Sequence, residues 1–187
     1  MLSSTAQTTL LRLARDSIQH GLSHGEALPV IASEYDAELK IQQACFVTLH
    51  IAQQLRGCIG CLTATRPLVI DVTQNAFNAA FRDPRFAPLQ NNEFEALHVH
   101  IEVLSIPEPI HFDSEQDLLK QIRPGIDGLV LYEGIHRGTF LPSVWESLPT
   151  AEQFLNQLKR KAGLTSDHWS NEIRIERYTT EAFEEEN

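Results

Sequence analysis

A mixed α/β domain is the fold class this sequence predicts, and three observations predict it. Apolar residues recur at helical spacing in some segments, as at Leu10, Leu11, Ala14 and Ile18, and alternate with polar ones in others, as at Leu97, Val99, Ile101 and Val103. Glycine or proline punctuates the changes between the two patterns. The 187 residues suffice for one domain, or for two small lobes sharing a core. With 42% hydrophobic and 21% charged residues, the composition matches neither a disordered chain, a collagen nor a coiled coil.

The elements follow in order. Ser4 is placed to cap a first helix carrying Leu10, Leu11, Ala14 and Ile18, and Gly21 to stop it. From Cys45 the period becomes two, so Cys45, Val47, Leu49 and Ile51 face one side of a strand and Phe46, Thr48 and His50 the other. A second strand, from Leu55 to Leu62, carries Gly57 and Gly60, and glycine within a strand marks a bulge or a close backbone approach. Thr65 and Pro67 start a helix whose apolar face is Val69, Val72, Ala76, Ala79 and Ala80, ending by Pro84. Leu97 to Leu104 alternates strictly and reads as a half-buried strand. Ser114 begins a short helix ended by Pro124-Gly125, and Leu129 to Leu141 reads as a hairpin. Thr150 and Gln153 fit a capping box for a helix running to Gly163. Ile173 and Ile175 belong to a last strand, and Glu184 to Asn187 read as a solvated tail.

Charge and termini narrow the function classes. A net charge of -10, from 25 acidic and 15 basic residues, opposes the attraction behind nonspecific nucleic-acid binding. Neither a leader pattern at Met1 to Thr5 nor a long apolar run is present, so neither export nor a membrane association is expected. Three cysteines in a chain with this much core point to reduced thiols and a cytoplasmic setting.

Several motifs carry chemistry on paper. Cys58-Ile59-Gly60-Cys61 has redox or zinc spacing, yet it lies in a strand rather than at a helix start. The odd separation points the two thiols to opposite faces, and no second ligand pair completes a zinc site. His98, His100 and Glu102 share a strand face, which by default is a solvated one, so no metal ligand is assigned. Lys159, Arg160 and Lys161 close a helix and complement its dipole. In Arg56-Gly57-Cys58 three unlike features coincide: a cation, a residue that lets a ligand approach the backbone, and a nucleophile whose thiolate a cation favours. The competing reading is an inert buried strand cysteine, and by composition alone that reading leads.

The hexapeptide Leu55-Arg56-Gly57-Cys58-Ile59-Gly60 resembles the signature of the AMMECR domain family. Further blocks in the same order strengthen the resemblance: Ala79 to Leu89, Pro107-Glu108-Pro109-Ile110, Asp127-Gly128-Leu129, Phe140 to Glu146, Phe154-Leu155, and Lys161 to Leu164. Asp127 stands where the family frequently has histidine, and Ser143 where it frequently has glutamine or glutamate. The whole chain, residues 1–187, therefore resembles a single domain of this kind, most similar to bacterial members encoded beside a Memo-like protein and a radical-SAM protein. The resemblance implies an α+β fold, mainly antiparallel sheet flanked by helices, in two lobes with the signature near a cleft between them.

Carried over residue by residue, the resemblance implies Arg56, Gly57, Cys58, Gly60, Asp83, Arg85, Glu146 and Lys161 as site candidates; in an enzyme, Cys58 is the nucleophile or attachment point, with Asp83 and Glu146 as proton-moving or orienting carboxylates. Arg56, Gly57, Gly60, Arg85 and Lys161 then hold substrate, the cations taking an anionic group. No cofactor is expected. The family's reaction is not established, so an enzyme or enzyme component working with Memo-like and radical-SAM partners stands beside two rivals. One is a non-catalytic module for a small anionic ligand, nucleic acid or partner protein, and the other a purely structural role for Arg56 and Cys58.

Overall fold

The computed structural model describes residues 1–186. The chain divides into two compact units, Met1–Leu104 with the closing residues from Glu181 on, and Ser105–Thr180.

The first unit begins with helix α1 (Ser4–His24). Its cap is Ser3, whose hydroxyl accepts the Ala6 N–H at 3.2 Å, one residue before the serine expected to do so. Gly21 does not stop the helix. It lies within it because a Cβ there would sit 2.5 Å from the Phe81 ring, and the helix ends instead at Gly25, in the left-handed region at φ 74°. Strands β1 (Cys45–Ile51) and β2 (Gln54–Gly60) form an antiparallel hairpin closed by Ala52 and Gln53, both at positive φ of 48° and 65°. That conformation suits the twist of paired strands, and neither residue belongs to the types that usually announce it. Helix α2 (Leu68–Phe81) and strand β3 (Leu97–Leu104) complete this part of the unit.

Alternation in the strands separates two faces of this sheet. Cys45, Val47, Leu49, Val99, Ile101 and Val103 are buried and pack with Leu10, Leu13, Ile18, Val69, Val72 and Ala76 of α1 and α2. Phe46, Thr48, His50, Cys58, His98, His100 and Glu102 are half-buried on the opposite face. The register pairs Leu49 with Gly57 and His50 with Leu55, leaving Arg56 as an extra residue in a bulge.

The second unit carries β4 (Glu108–Ile110), α3 (Glu115–Gln121), β5 (Gly128–Glu133), β6 (His136–Phe140), α4 (Ala151–Lys161) and β7 (Arg174–Tyr178). Its sheet runs β4-β7-β5-β6, with each of these pairings antiparallel. Ser114 caps α3 by accepting the Asp117 N–H, and Thr150 caps α4 by accepting the Gln153 N–H, each at 3.2 Å; of the expected capping box only the Thr150 half forms among the described residues. Trp145 stacks on Phe154 at 3.9 Å between centroids, inside a core with Leu118, Leu129, Leu155 and Leu158. Lys159 departs from the expected helix-end role. It is fully buried, paired with Glu115, and its ammonium lies 5.4 Å from the Trp169 centroid.

The chain then returns for β8 (Thr180–Glu184), so the sheet of the first unit runs β2-β1-β3-β8. Sequence reading expected β7 to be the last strand and Glu184 onward to be solvated. Instead Glu185 donates its N–H to the Val99 carbonyl, accepts the Val99 N–H, and receives both Nε and Nη2 of Arg15 at 2.7 and 2.8 Å. Burial pushes the Glu185 carboxyl up, but these donors hold it below its ordinary range. Asn187, the end of the expected tail, lies outside the described residues. Among the described residues no helix is long and apolar enough to cross a membrane.

Candidate functional site

β2 is an edge strand, so its outward N–H and C=O groups need partners other than β1. At Cys58 both find them in one ion pair. The Cys58 N–H donates to Asp83 Oδ2 at 2.9 Å, and Arg85 Nη2 donates to the Cys58 carbonyl at 3.2 Å. Asp83 also receives Arg85 Nε at 3.0 Å, Nη2 at 2.7 Å and the Arg85 backbone N–H at 3.1 Å. The Asp83–Arg85 pair thus takes the place of a neighbouring strand at one position. Asp83 is buried while Arg85 remains 54% exposed. Hydrogen bonding from Arg85 holds the Asp83 carboxyl far below the usual carboxylate range, so it is a carboxylate at any physiological pH. Asp83, chiefly, and Cys58 more weakly, keep the Arg85 guanidinium above its own ordinary range.

The Cys58 side chain points to the half-buried outer face, where its sulfur accepts a hydrogen bond from Thr48 Oγ1 at 3.2 Å. Gly57 points the other way and is buried against α2, where a Cβ would stand 2.1 Å from the Ala79 carbonyl oxygen. Gly60 has a similar cause: a Cβ would sit 2.4 Å from the Phe46 ring. Both glycines serve close approach within the protein. Arg56, in the bulge, makes a two-point pair with Glu93 at 2.8 and 3.0 Å and donates to the Ala87 carbonyl. Its Nη1 is buried with no hydrogen-bond partner among the described residues. The Phe86 ring centroid lies 5.9 Å from the Arg56 guanidinium carbon and 5.5 Å from that of Arg85.

Six of the predicted site residues, Arg56, Gly57, Cys58, Gly60, Asp83 and Arg85, therefore fall together at one edge of the first unit. The other two belong to the second unit. Glu146 is exposed at the end of a 3-10 turn, and Lys161 is exposed at the end of α4 with its ammonium 4.8 Å from the Phe140 centroid. Asp127 is fully buried, bonded to Arg123, and its carbonyl accepts the Trp145 indole N–H at 2.7 Å.

Sequence reasoning passed over other polar groups on the Cys58 face. His98 and His100 are each 27% exposed, and both point a ring nitrogen at Glu184 Oε2, at 3.3 and 3.4 Å. They hold the Glu184 carboxyl below its ordinary range. Burial, reinforced by His100 and His98, lowers the His50 imidazole. Burial also pushes the Glu102 carboxyl up. This face is thus half-buried and internally bonded rather than freely solvated, and only strand register could have shown it. Among the described residues no group of three or more histidine, cysteine, aspartate or glutamate side chains is disposed to hold a metal.

The remaining cysteines have separate surroundings. Cys45 is fully buried, with its N–H and thiol on Asp71 Oδ2 at 3.0 and 3.2 Å, and burial followed by Asp71 pushes its thiol well up. Cys61, half-buried just beyond β2, donates to the Thr63 carbonyl. All three are free thiols.

Comparison with known proteins agrees with the motif set. The AMMECR1 family model matches residues 11–183. Protein MJ0810 of Methanocaldococcus jannaschii is 33% identical over 193 residues, covering 99% of this chain and 92% of that protein. Protein PH0010 of Pyrococcus horikoshii is 37% identical over 188 residues, covering 95% and 88%. The crystal structure of uncharacterized protein PH0010 superposes with a TM-score of 0.80 at 36% identity, over 95% of this chain and 90% of that one. From its edge-strand signature, its fold and these relatives alike, the chain belongs to the AMMECR1 family.

Proposed function

We propose that this protein is a cytoplasmic enzyme or enzyme component whose reactive group is the Cys58 thiol. The observation that carries this reading is the surroundings of that residue: the Thr48 hydroxyl donates to the sulfur at 3.2 Å, and the Arg85 guanidinium donates to the carbonyl of the same residue at 3.2 Å. A cation and a hydrogen-bond donor both favour the thiolate, which is the nucleophilic form. Because Asp83 and Arg85 grip the N–H and C=O of Cys58, the thiol sits on backbone held in place, as a nucleophile requires. A free thiol is kept reduced in the cytoplasm. Arg85, half of whose side chain meets solvent, is the cation placed to meet an anionic group of a substrate. Glu146 and Lys161 rest on the family resemblance, as does action with Memo-like and radical-SAM partners.

Alkylation of the native protein with iodoacetamide, read site by site by mass spectrometry, tests the proposal. Cys58 is expected to react several-fold faster than Cys61, and Arg85→Gln to slow Cys58 alone, with Arg85→Lys between. A Cys58 no faster than Cys61 and indifferent to Arg85→Gln removes the nucleophile. A second reading, a non-catalytic binding module, draws on the pairing of Arg56 with Glu93 and of Arg85 with Asp83, which leaves both cations already engaged. Association with Memo-like or radical-SAM proteins that survives Cys58→Ser favours it.

A further inference from the structure

The register of the first sheet places more than one polar group in line with Cys58. Thr48 on the central strand β1 is the direct partner of Cys58 on β2 and of His100 on β3. Partners opposite one another across strands share a face, with Cβ atoms about 5 Å apart. The hydrogen bond from Thr48 Oγ1 to Cys58 Sγ confirms the first half of this row. At its other end, His100 Nδ1 lies 3.4 Å from Glu184 Oε2 on β8. A thiol, a hydroxyl, an imidazole and a carboxylate thus cross the four strands in one row.

We infer that His100, oriented by Glu184, is the base that accepts the Cys58 proton by way of the Thr48 hydroxyl. This rests on the reading of Cys58 as the nucleophile and supplies the base and the orienting group which that reading lacks. With Nδ1–H donated to Glu184, Nε2 is the basic nitrogen of His100. The Thr48 hydroxyl, which points at Sγ in the structure, turns toward His100 Nε2; the thiol proton then moves to Thr48 Oγ1 as the hydroxyl's own proton moves to Nε2. The products are a thiolate accepting a hydrogen bond from Thr48 through the transferred proton, and an imidazolium whose charge faces the Glu184 carboxylate. No proton or electron is left over. Other titratable groups flank the row: His50 and His98 form the adjacent pair, Glu102 lies across from Phe46, and Arg85 donates to the Cys58 carbonyl. Glu184 is shared with His98, and so acts as a positioning residue for two imidazoles.

Site-resolved alkylation of Cys58 in Thr48→Val, His100→Ala, Glu184→Gln and His98→Ala tests the relay, with folding checked by far-UV circular dichroism. Thr48→Val and His100→Ala are expected to slow Cys58 by about ten-fold or more, toward the factors that general bases contribute. Glu184→Gln should slow it less, and His98→Ala little, because His98 lies opposite His50 rather than Thr48. Added imidazole should restore most of the rate in His100→Ala but not in Thr48→Val, a result that loss of packing alone cannot produce. Should Thr48→Val not fold, the imidazole response of His100→Ala decides alone. If Cys58 stays fast and Arg85-dependent in wild type yet is unchanged by His100→Ala, the relay is wrong and the nucleophile stands. If Cys58 is slow and insensitive to Arg85, the nucleophile itself fails.

Discussion

Replacing Gly57 by alanine puts a methyl where the α2 backbone already is. The added Cβ would lie 2.1 Å from the Ala79 carbonyl oxygen and 3.0 Å from its carbonyl carbon. Relief requires β2 and α2 to part by about an ångström, because ordinary carbon–oxygen contacts begin well above 3 Å. Neither element can move freely. Val69, Val72, Ala76, Ala79 and Ala80 of α2 are almost fully buried, and β2 is tied to β1 along its length and to Asp83 at Cys58. Overpacking of this kind costs 1–3 kcal/mol, and contact with backbone rather than a flexible side chain places it at about 3 kcal/mol. For a chain of this size that corresponds to a fall in melting temperature of about 10 °C. Thermal melts followed by circular dichroism, with urea titrations for the free energy, measure both quantities. Ala79→Gly in the same background should give no relief, since the clash is with main chain. A Gly57→Ala protein destabilised by less than about 1 kcal/mol, or rescued by Ala79→Gly, would refute the close-approach argument.

Two further outcomes follow from the ion pairs. Asp83, held below its unfolded-state range of about 3.9, contributes stability that is fully present above that range and is lost progressively as pH falls from there toward the carboxyl's much lower folded-state range. The stability gap between wild type and Asp83→Asn should therefore be widest near neutrality and narrow below about pH 4, as acid-range denaturant titrations can show; a constant gap contradicts the pairing. Glu185→Ala removes a two-point pair with Arg15 and a bond to the Val99 N–H, both partly sheltered. The expected loss is about 2 kcal/mol, and a melt within error of wild type would return this residue to the solvated tail.

Much of the fold was legible because short-range patterns decide it. The caps at Ser114 and Thr150, the alternation from Cys45 and from Leu97, and the stop before Pro84 depend only on neighbours a few residues away. Features decided by distant partners were not. Gly21 looks like a stop signal until Phe77 and Phe81 of another helix require the space beside it. β8 offers only Ala182 and Phe183 among acidic residues, so its membership in the sheet depends on β3 and Arg15. At the candidate site, the residue types Arg56, Gly57, Cys58, Asp83 and Arg85 could be singled out, but not their engagements. That the carboxylate of Asp83 would hold a main-chain N–H, that Glu93 would meet Arg56, or that Thr48 would join Cys58 to the row of His100 follows from register and from a bulge. One strand read alone contains neither.

The strand closing the first sheet follows the inserted unit in the chain. Until β8 has been synthesised, β3 has an open flank, and everything from Ser105 to Thr180 emerges between two strands that must become neighbours. The inserted unit can organise first, whereas the one bearing Cys58 and His100 reaches its finished form only once β8 has followed. Glu184, which steadies the imidazole, arrives with that last strand. A polypeptide cut before Thr180 would keep the signature hexapeptide and lose the completed row.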